Sequence, residues 1–124
     1  MKQAIHTDKA PAAIGPYSQA QMIGGFLFTS GQLGIDVEKG GLAEGVEAQA
    51  HAAMKNLGQI LSAAGAGYGS ILKTTIFVKD LADFATVNKV YASYFEGDYP
   101  ARSCVQVAAL PMGGLVEIEA IAKI

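Results

Sequence analysis

The chain of 124 residues holds one cysteine, two histidines and nine lysines and arginines, and each shortage removes a class of function. A single thiol cannot close an internal disulfide, and with two isolated histidines it cannot assemble a zinc site. No run of Lys or Arg exists and the formal net charge is −2, whereas a nucleic-acid surface usually shows as a basic domain. No apolar stretch approaches the roughly 18 residues that span a bilayer. The first six residues carry no apolar block followed by a small-residue cleavage site. The glycines are scattered among loops and form neither a Walker loop nor a dinucleotide fingerprint. The expectation is a soluble cytosolic protein with no metal, no cofactor, no nucleic-acid partner and no membrane partner.

What is present is a core. Hydrophobic residues make up 51% of the chain and charged residues 16%, which suits a single packed domain over residues 1–124. Residues 2–7 read as an edge strand, followed by a loop marked by Pro11, Gly15 and Pro16. Two apolar segments, 17–23 and 26–34, flank Gly24-Gly25, a dipeptide suited to a tight hairpin turn. Residues 36–45 read as an exposed loop. Over residues 45–64, Val46, Ala50, Ala53, Met54, Leu57, Ile60, Leu61 and Ala64 recur every three or four positions, the mark of a buried helix face. Gly65 suits its C-terminus. Residues 71–79 form a β-branched strand. Asp80 is placed to cap a second helix with a stripe of Phe84, Val87, Tyr91, Tyr94 and Phe95, stopped between Gly97 and Pro100.

The order β-β-β-α-β-α-β-β predicts an α+β domain: a mixed sheet of about six strands with two helices on one face. The other face stays open, and a half-apolar sheet face is rarely left bare in a monomer. A homo-oligomer joined through sheet faces is expected, with the Arg102 region at or near the interface.

Residues 99–123 read as two adjoining strands linked by a turn at Pro111-Met112-Gly113-Gly114. Strand alternation sets Arg102, Cys104 and Gln106 on one face of the first strand and Glu117 with Glu119 on one face of the second, and the cation and carboxylates are expected together on the sheet face that oligomerisation closes. Arg102 is either half of an ion pair with one of these glutamates or a receptor for a carboxylate, which its planar fork matches. Glu117 or Glu119 is either its partner or a carboxylate that activates water, a role that improves as burial raises its pKa. Spacing alone does not choose between them. Cys104 has no adjacent base and reads as a small buried side chain rather than a nucleophile. Asn88 lies one turn after Phe84, while Tyr17, Ser30 and Gly31 are ordinary turn and strand residues unless the fold brings them to Arg102.

Several segments, weak singly, together resemble the RidA/YjgF family over essentially the whole chain: Gly15-Pro16-Tyr17-Ser18-Gln19, Ser30-Gly31-Gln32-Leu33, Asn88-Lys89-Val90-Tyr91, Pro100-Ala101-Arg102-Ser103 and Val116-Glu117-Ile118-Glu119-Ala120. The resemblance implies a chorismate-mutase-like fold and a homotrimer with clefts between subunits. It also implies hydrolysis of 2-imino acids, the enamine/imine products of pyridoxal-phosphate dehydratases, to 2-keto acids and ammonia without a cofactor. By the same resemblance Arg102 would clamp the substrate carboxylate and Glu117 would orient the attacking water. Tyr17, Ser30, Gly31, Asn88 and Cys104 would line the cleft. The competing reading is a non-catalytic regulatory trimer that binds a small ligand in the same cleft. A ribonuclease role is disfavoured by the acidic balance.

Overall fold

A computed structural model describes all residues, 1–124. Its elements are β1 (Gln3–Ile5), β2 (Ala20–Ile23), β3 (Phe26–Thr29), β4 (Gln32–Leu33), β5 (Ile35–Asp36), β6 (Gly41–Leu42), α1 (Gly45–Ala63), β7 (Ile71–Val78), α2 (Phe84–Ala92), β8 (Ala101–Gln106) and β9 (Val116–Lys123). The main sheet runs β1-β2-β3-β9-β7-β8, with β4 also pairing β9. The last strand in sequence is therefore central. It is antiparallel to β3, β4 and β7, while β7 and β8 are parallel, as the crossover through α2 requires. The α+β architecture with two helices matches the sequence expectation.

The first helix ends within one residue of its expected limit. Ala66 N–H donates to Leu61 C=O and Gly65 N–H to Ser62 C=O. With Gly65 at φ +79°, this is the paired-bond stop that a left-handed glycine permits. Its apolar stripe is buried from Ala50 to Leu61, with Val46 and Ala64 half-buried at its ends, and two amides are buried with it. Gln49 accepts from Leu115 N–H at 2.9 Å and donates to Ala43 C=O at 3.1 Å; Asn56 donates to Ile35 C=O at 2.9 Å. These bonds tie α1 to the entry of β9 and to the β5–β6 hairpin. That hairpin replaces the expected loop over 36–45: Asp36 Oδ1 accepts from Glu38 N–H at 3.0 Å and from Lys39 N–H at 3.3 Å, closing a turn through its side chain. The second helix is shorter than its stripe suggests. Asp80 caps a 3-10 turn over Leu81–Asp83, accepting from Ala82 N–H at 2.9 Å, and α2 ends at Ala92. Tyr94 and Phe95 lie beyond it but still pack on the core.

Gly24 and Gly25 both have positive φ, the conformation of the expected two-residue hairpin turn. The second strand of that hairpin is interrupted. Phe28 lies opposite Ile121 and Gln32 opposite Ile118, so four steps along β3–β4 match three along β9. The extra residue is a bulge at Ser30-Gly31.

Two corrections concern residues 99–123. The strands bearing Arg102 and Glu117 do not adjoin, because β7 lies between them. Nor do the two residues share a face. Arg102 and Cys104 align with Thr74 and Ile76, which align in turn with Ala120 and Ile118 on the buried, helix-covered face. Glu117 aligns with Phe77 and Glu119 with Thr75 on the open face. The open face thus carries Ser103 and Val105 rather than Arg102. The physical reason is the crossover: α2 delivers β8 outside β7, and the chain then passes β7 to insert β9 on its other side.

Gly34 is buried, and a Cβ there would lie 2.4 Å from Gln49 Cα. Gly34→Ala should therefore cost about 1–3 kcal/mol of stability in urea unfolding, and an unchanged midpoint would show that α1 does not seat so closely on β4.

Candidate active site

Glu117 is half-buried on the open face, between Leu33 of β4 and Phe77 of β7. Burial, and then the neighbouring Glu119 carboxylate, push its pKa up from the ordinary glutamate value. The bulge lets it sit there. A Cβ on Gly31 would fall 2.7 Å from the Glu117 carboxyl carbon, so only glycine admits the side chain against this stretch of backbone. Ser30 is fixed on the same bulge: its hydroxyl donates to Ser18 C=O at 2.6 Å and its N–H to Gln19 C=O at 2.9 Å.

Gln19, only 3% exposed, organises the loop that carries Tyr17. Its Oε1 accepts from Thr7 N–H at 2.7 Å, and its Nε2 donates to Thr7 C=O at 3.0 Å and Pro11 C=O at 2.9 Å. A buried amide satisfied by backbone groups of a loop is costly to remove. It holds Tyr17 over the same cavity, about 880 Å³, that Ser30, Gly31 and Glu117 line.

Arg102 lies at the opposite place, on the edge strand β8. Its guanidinium carbon is 5.3 Å from the Phe84 ring centroid and 5.2 Å from that of Tyr91, within cation–π range. Nη1 donates to Asn88 Oδ1 at 2.5 Å. Phe84, Asn88 and Tyr91 occupy positions i, i+4 and i+7 of α2, one face of the helix. The Tyr91 hydroxyl shares a 2.7 Å hydrogen bond with Thr74, the residue opposite Arg102 on β7. Arg102 has no carboxylate partner; the ion pairs of the chain are His6–Asp8 and Lys39–Glu44. Of the two readings the sequence leaves open for Arg102, the ion pair with a glutamate is absent, and most of the five guanidinium donors remain available beside a second cavity of about 450 Å³ lined by Asn88, Tyr99 and Pro100.

The candidate residues therefore sort into two groups. Tyr17, Ser30, Gly31 and Glu117 surround the larger cavity; Arg102 and Asn88 border the smaller. Cys104 is on Arg102's face, partly buried against the core. Burial raises its thiol pKa, with Arg102 pulling weakly the other way, so it is not an activated thiolate. Sequence reasoning missed the aromatic clamp, having counted Phe84 and Tyr91 only as core, and it missed the role of Gln19. The spacing of Phe84, Asn88 and Tyr91 was the available signal for the first. Chemically, one half is an oriented cation with free donors and the other a carboxylate poised to take or give a proton.

Known proteins resemble the chain over nearly its whole length. A model of the Endoribonuclease L-PSP family matches residues 7–124. The chain is 52% identical to the mouse 2-iminobutanoate/2-iminopropanoate deaminase, over 98% of this chain and 91% of that protein. It superposes on RidA from an Antarctic Psychrobacter with a TM-score of 0.95 at 49% identity, covering 98% and 99% of the two chains. It also superposes on E. coli TdcF with bound serine, with a TM-score of 0.95 at 46% identity, covering 98% of each chain. The chain belongs to this Endoribonuclease L-PSP family, the RidA/YjgF proteins.

Proposed function

We propose that the protein hydrolyses 2-imino acids to 2-keto acids and ammonia, at clefts completed by a second copy of the chain in a homotrimer. The observation that carries the reading is the pair of complementary half-sites, a free guanidinium and an uncompensated carboxylate, on opposite faces of one sheet. The mouse relative is named for hydrolysis of such imines, and TdcF holds serine, a small amino acid with a comparable carboxylate and nitrogen. The cleft reading is further supported by the open face. Ile23, Phe26, Phe28 and Val105 are exposed there, and the buried Gln21 Oε1 has no hydrogen-bond donor. Such a surface suits burial against a second chain.

In this mechanism Arg102 of one chain takes the substrate carboxylate on its fork, held flat by Phe84 and Tyr91 and aimed by Asn88. The imine carbon then lies beside Glu117 of the neighbour, with Tyr17, Ser30 and Gly31 forming the wall and Cys104 behind Arg102. Water adds to the protonated imine carbon as its proton passes to Glu117, giving a carbinolamine. The protonated Glu117 returns that proton to nitrogen, the C–N bond breaks, and the hydroxyl gives its own proton to the Glu117 carboxylate as it becomes the keto group and ammonia leaves, ammonia then taking that proton away as ammonium. A protonated imine is already electrophilic, so positioning supplies much of the acceleration, and a carboxyl with a raised pKa suits both proton transfers. The family's endoribonuclease name points to RNA, but a net charge of −2 with no basic run offers no track for a phosphate backbone.

The assembly is checked by light scattering: at micromolar concentration the mass should be three chains of 12.8 kDa, and a single-chain mass would end the cleft argument. Arg102→Ala and Glu117→Gln should each lower the enzyme-dependent rate by about a hundredfold or more. Co-expressed in equal amounts, the two variants should regain about a quarter of wild-type activity, because only clefts drawing each intact half from a different chain are whole. No regain would place both groups in one chain's site. A regulatory trimer would show neither rate, and Glu117→Gln would leave its ligand affinity unchanged. For pH, Glu117 must be ionised to accept the water proton, and its pKa is raised. The acid limb of kcat/KM should therefore fall through a midpoint above 4.5, the unshifted value, and disappear in Glu117→Gln.

A further inference from the structure

Met112 is the only residue other than glycine with a positive φ, at φ 61° and ψ 12°. A long side chain resists this left-handed conformation, which glycine adopts freely. Core packing does not repay it, since Met112 is 60% exposed. The backbone around it is fixed instead. Gly113 N–H donates to Leu110 C=O at 3.2 Å, Gly114 N–H to Pro111 C=O at 3.0 Å, and Leu115 N–H to Gln49 Oε1 at 2.9 Å. The turn thus holds the thioether in one place, and that place is the wall of the cavity containing Glu117, together with Ile14, Leu33, Val37 and Pro111. Both ends of the placement are rigid: Glu117 is five residues on, on the strand into which the turn runs. An exposed, unbranched apolar side chain kept in an unfavourable conformation beside the reacting group has a use there. Its flexible thioether adapts to apolar partners of varied shape.

We propose that Met112 determines side-chain specificity, favouring 2-imino acids with extended apolar side chains over those with short or acidic ones. This rests on the deaminase reading above. With the imine carbon at Glu117 and the carboxylate drawn to the Arg102 side, the substrate's remaining substituent is left to the apolar wall of Ile14, Val37 and Met112. No titratable side chain other than Asp8 and Glu117 lines this cavity besides the Tyr17 phenol, so an acidic side chain meets no cation there.

The test uses imines generated in situ by an amino-acid oxidase from alanine, norleucine and glutamate, with the full-length protein and its Met112→Gly, Met112→Leu and Met112→Lys variants. Wild type should prefer the norleucine-derived imine. Met112→Gly should reduce kcat/KM for that substrate about tenfold more than for the alanine-derived imine, the scale expected for lost apolar contact in a pocket. Met112→Leu should keep the wild-type preference, and Met112→Lys should shift it toward the glutamate-derived imine. Urea midpoints keep folding separate from selectivity: Met112→Gly should unfold no earlier than wild type, since it removes an unfavourable φ. An unchanged ratio of the two kcat/KM values in Met112→Gly, or an equal loss on all substrates, overturns the assignment. If wild type hydrolyses none of the imines, the deaminase reading itself fails, and this assignment fails with it.

Discussion

The structure depends on one strand serving two masters. β9 is the last strand in sequence and a central one in the sheet, and its period of two divides it into unlike surfaces. Val116, Ile118, Ala120 and Ala122 point under the helices, each 3% exposed or less, and form the floor of the core. Glu117 and Glu119 alternate with them on the open face. A slip of one residue would bury two carboxylates and expose the floor, so packing of the core fixes the position of Glu117. Two side chains lock the register. The amide of Gln49 receives Leu115 N–H just before the strand, and Thr29 Oγ1 accepts from Ala120 N–H within it. The site is therefore as rigid as the core beneath it.

That rigidity explains why the two charges stay apart. Had β8 and β9 adjoined with Arg102 and Glu117 on one face, each would have satisfied the other. Glu117's pKa would have been held down by the cation, and neither group would have been left for a ligand. The crossover through α2 prevents this by placing a whole strand between them and setting them on opposite faces. Arg102 is then oriented by groups that do not neutralise it: two aromatic rings and the neutral Asn88 oxygen. Its fork keeps its charge and most of its donors. Glu117, facing a glycine and apolar neighbours, keeps a carboxylate whose ionisation is discouraged.

Much of this was legible in the sequence, and the failures share a cause. The helix over Gly45–Ala63 was visible because its apolar spacing and its terminal glycine are local signals, and the Gly24-Gly25 hairpin for the same reason. Strand alternation correctly separated Glu117 from Val116 and Ile118. It also grouped Arg102 with Cys104, but it could not say which way that group faced or which strands were neighbours. Sheet order is set by crossover connections and long-range pairing, which leave no periodic mark in the chain. The aromatic clamp failed differently. Phe84 and Tyr91 have the spacing of a core stripe, and only Tyr91 is buried among them; their second use depends on where β8 lies. Gln19 was hidden because a buried glutamine reads as a polar loop residue until its backbone partners are known.

The placement of Ser30 and Gly31 shows how closely local chemistry and site geometry are joined. A regular strand through residues 26–33 would keep positions 31 and 33 on the helix-covered side with Leu27 and put Gln32 on the open face with Phe28. The bulge shifts the register by one residue, so that Gln32 returns to the buried face while positions 31 and 33 turn toward Glu117, and the glycine at 31 leaves room for the carboxylate. The same bulge turns the Ser30 hydroxyl toward Ser18 and ties the strand to the loop governed by Gln19. Loop, bulge and carboxylate thus form one mechanical unit: movement of the Thr7–Gln19 loop passes through Ser30 to the backbone on which Glu117 rests. Tyr17 is carried by that loop, so the wall facing the carboxylate is set by the same hydrogen bonds that set the carboxylate itself.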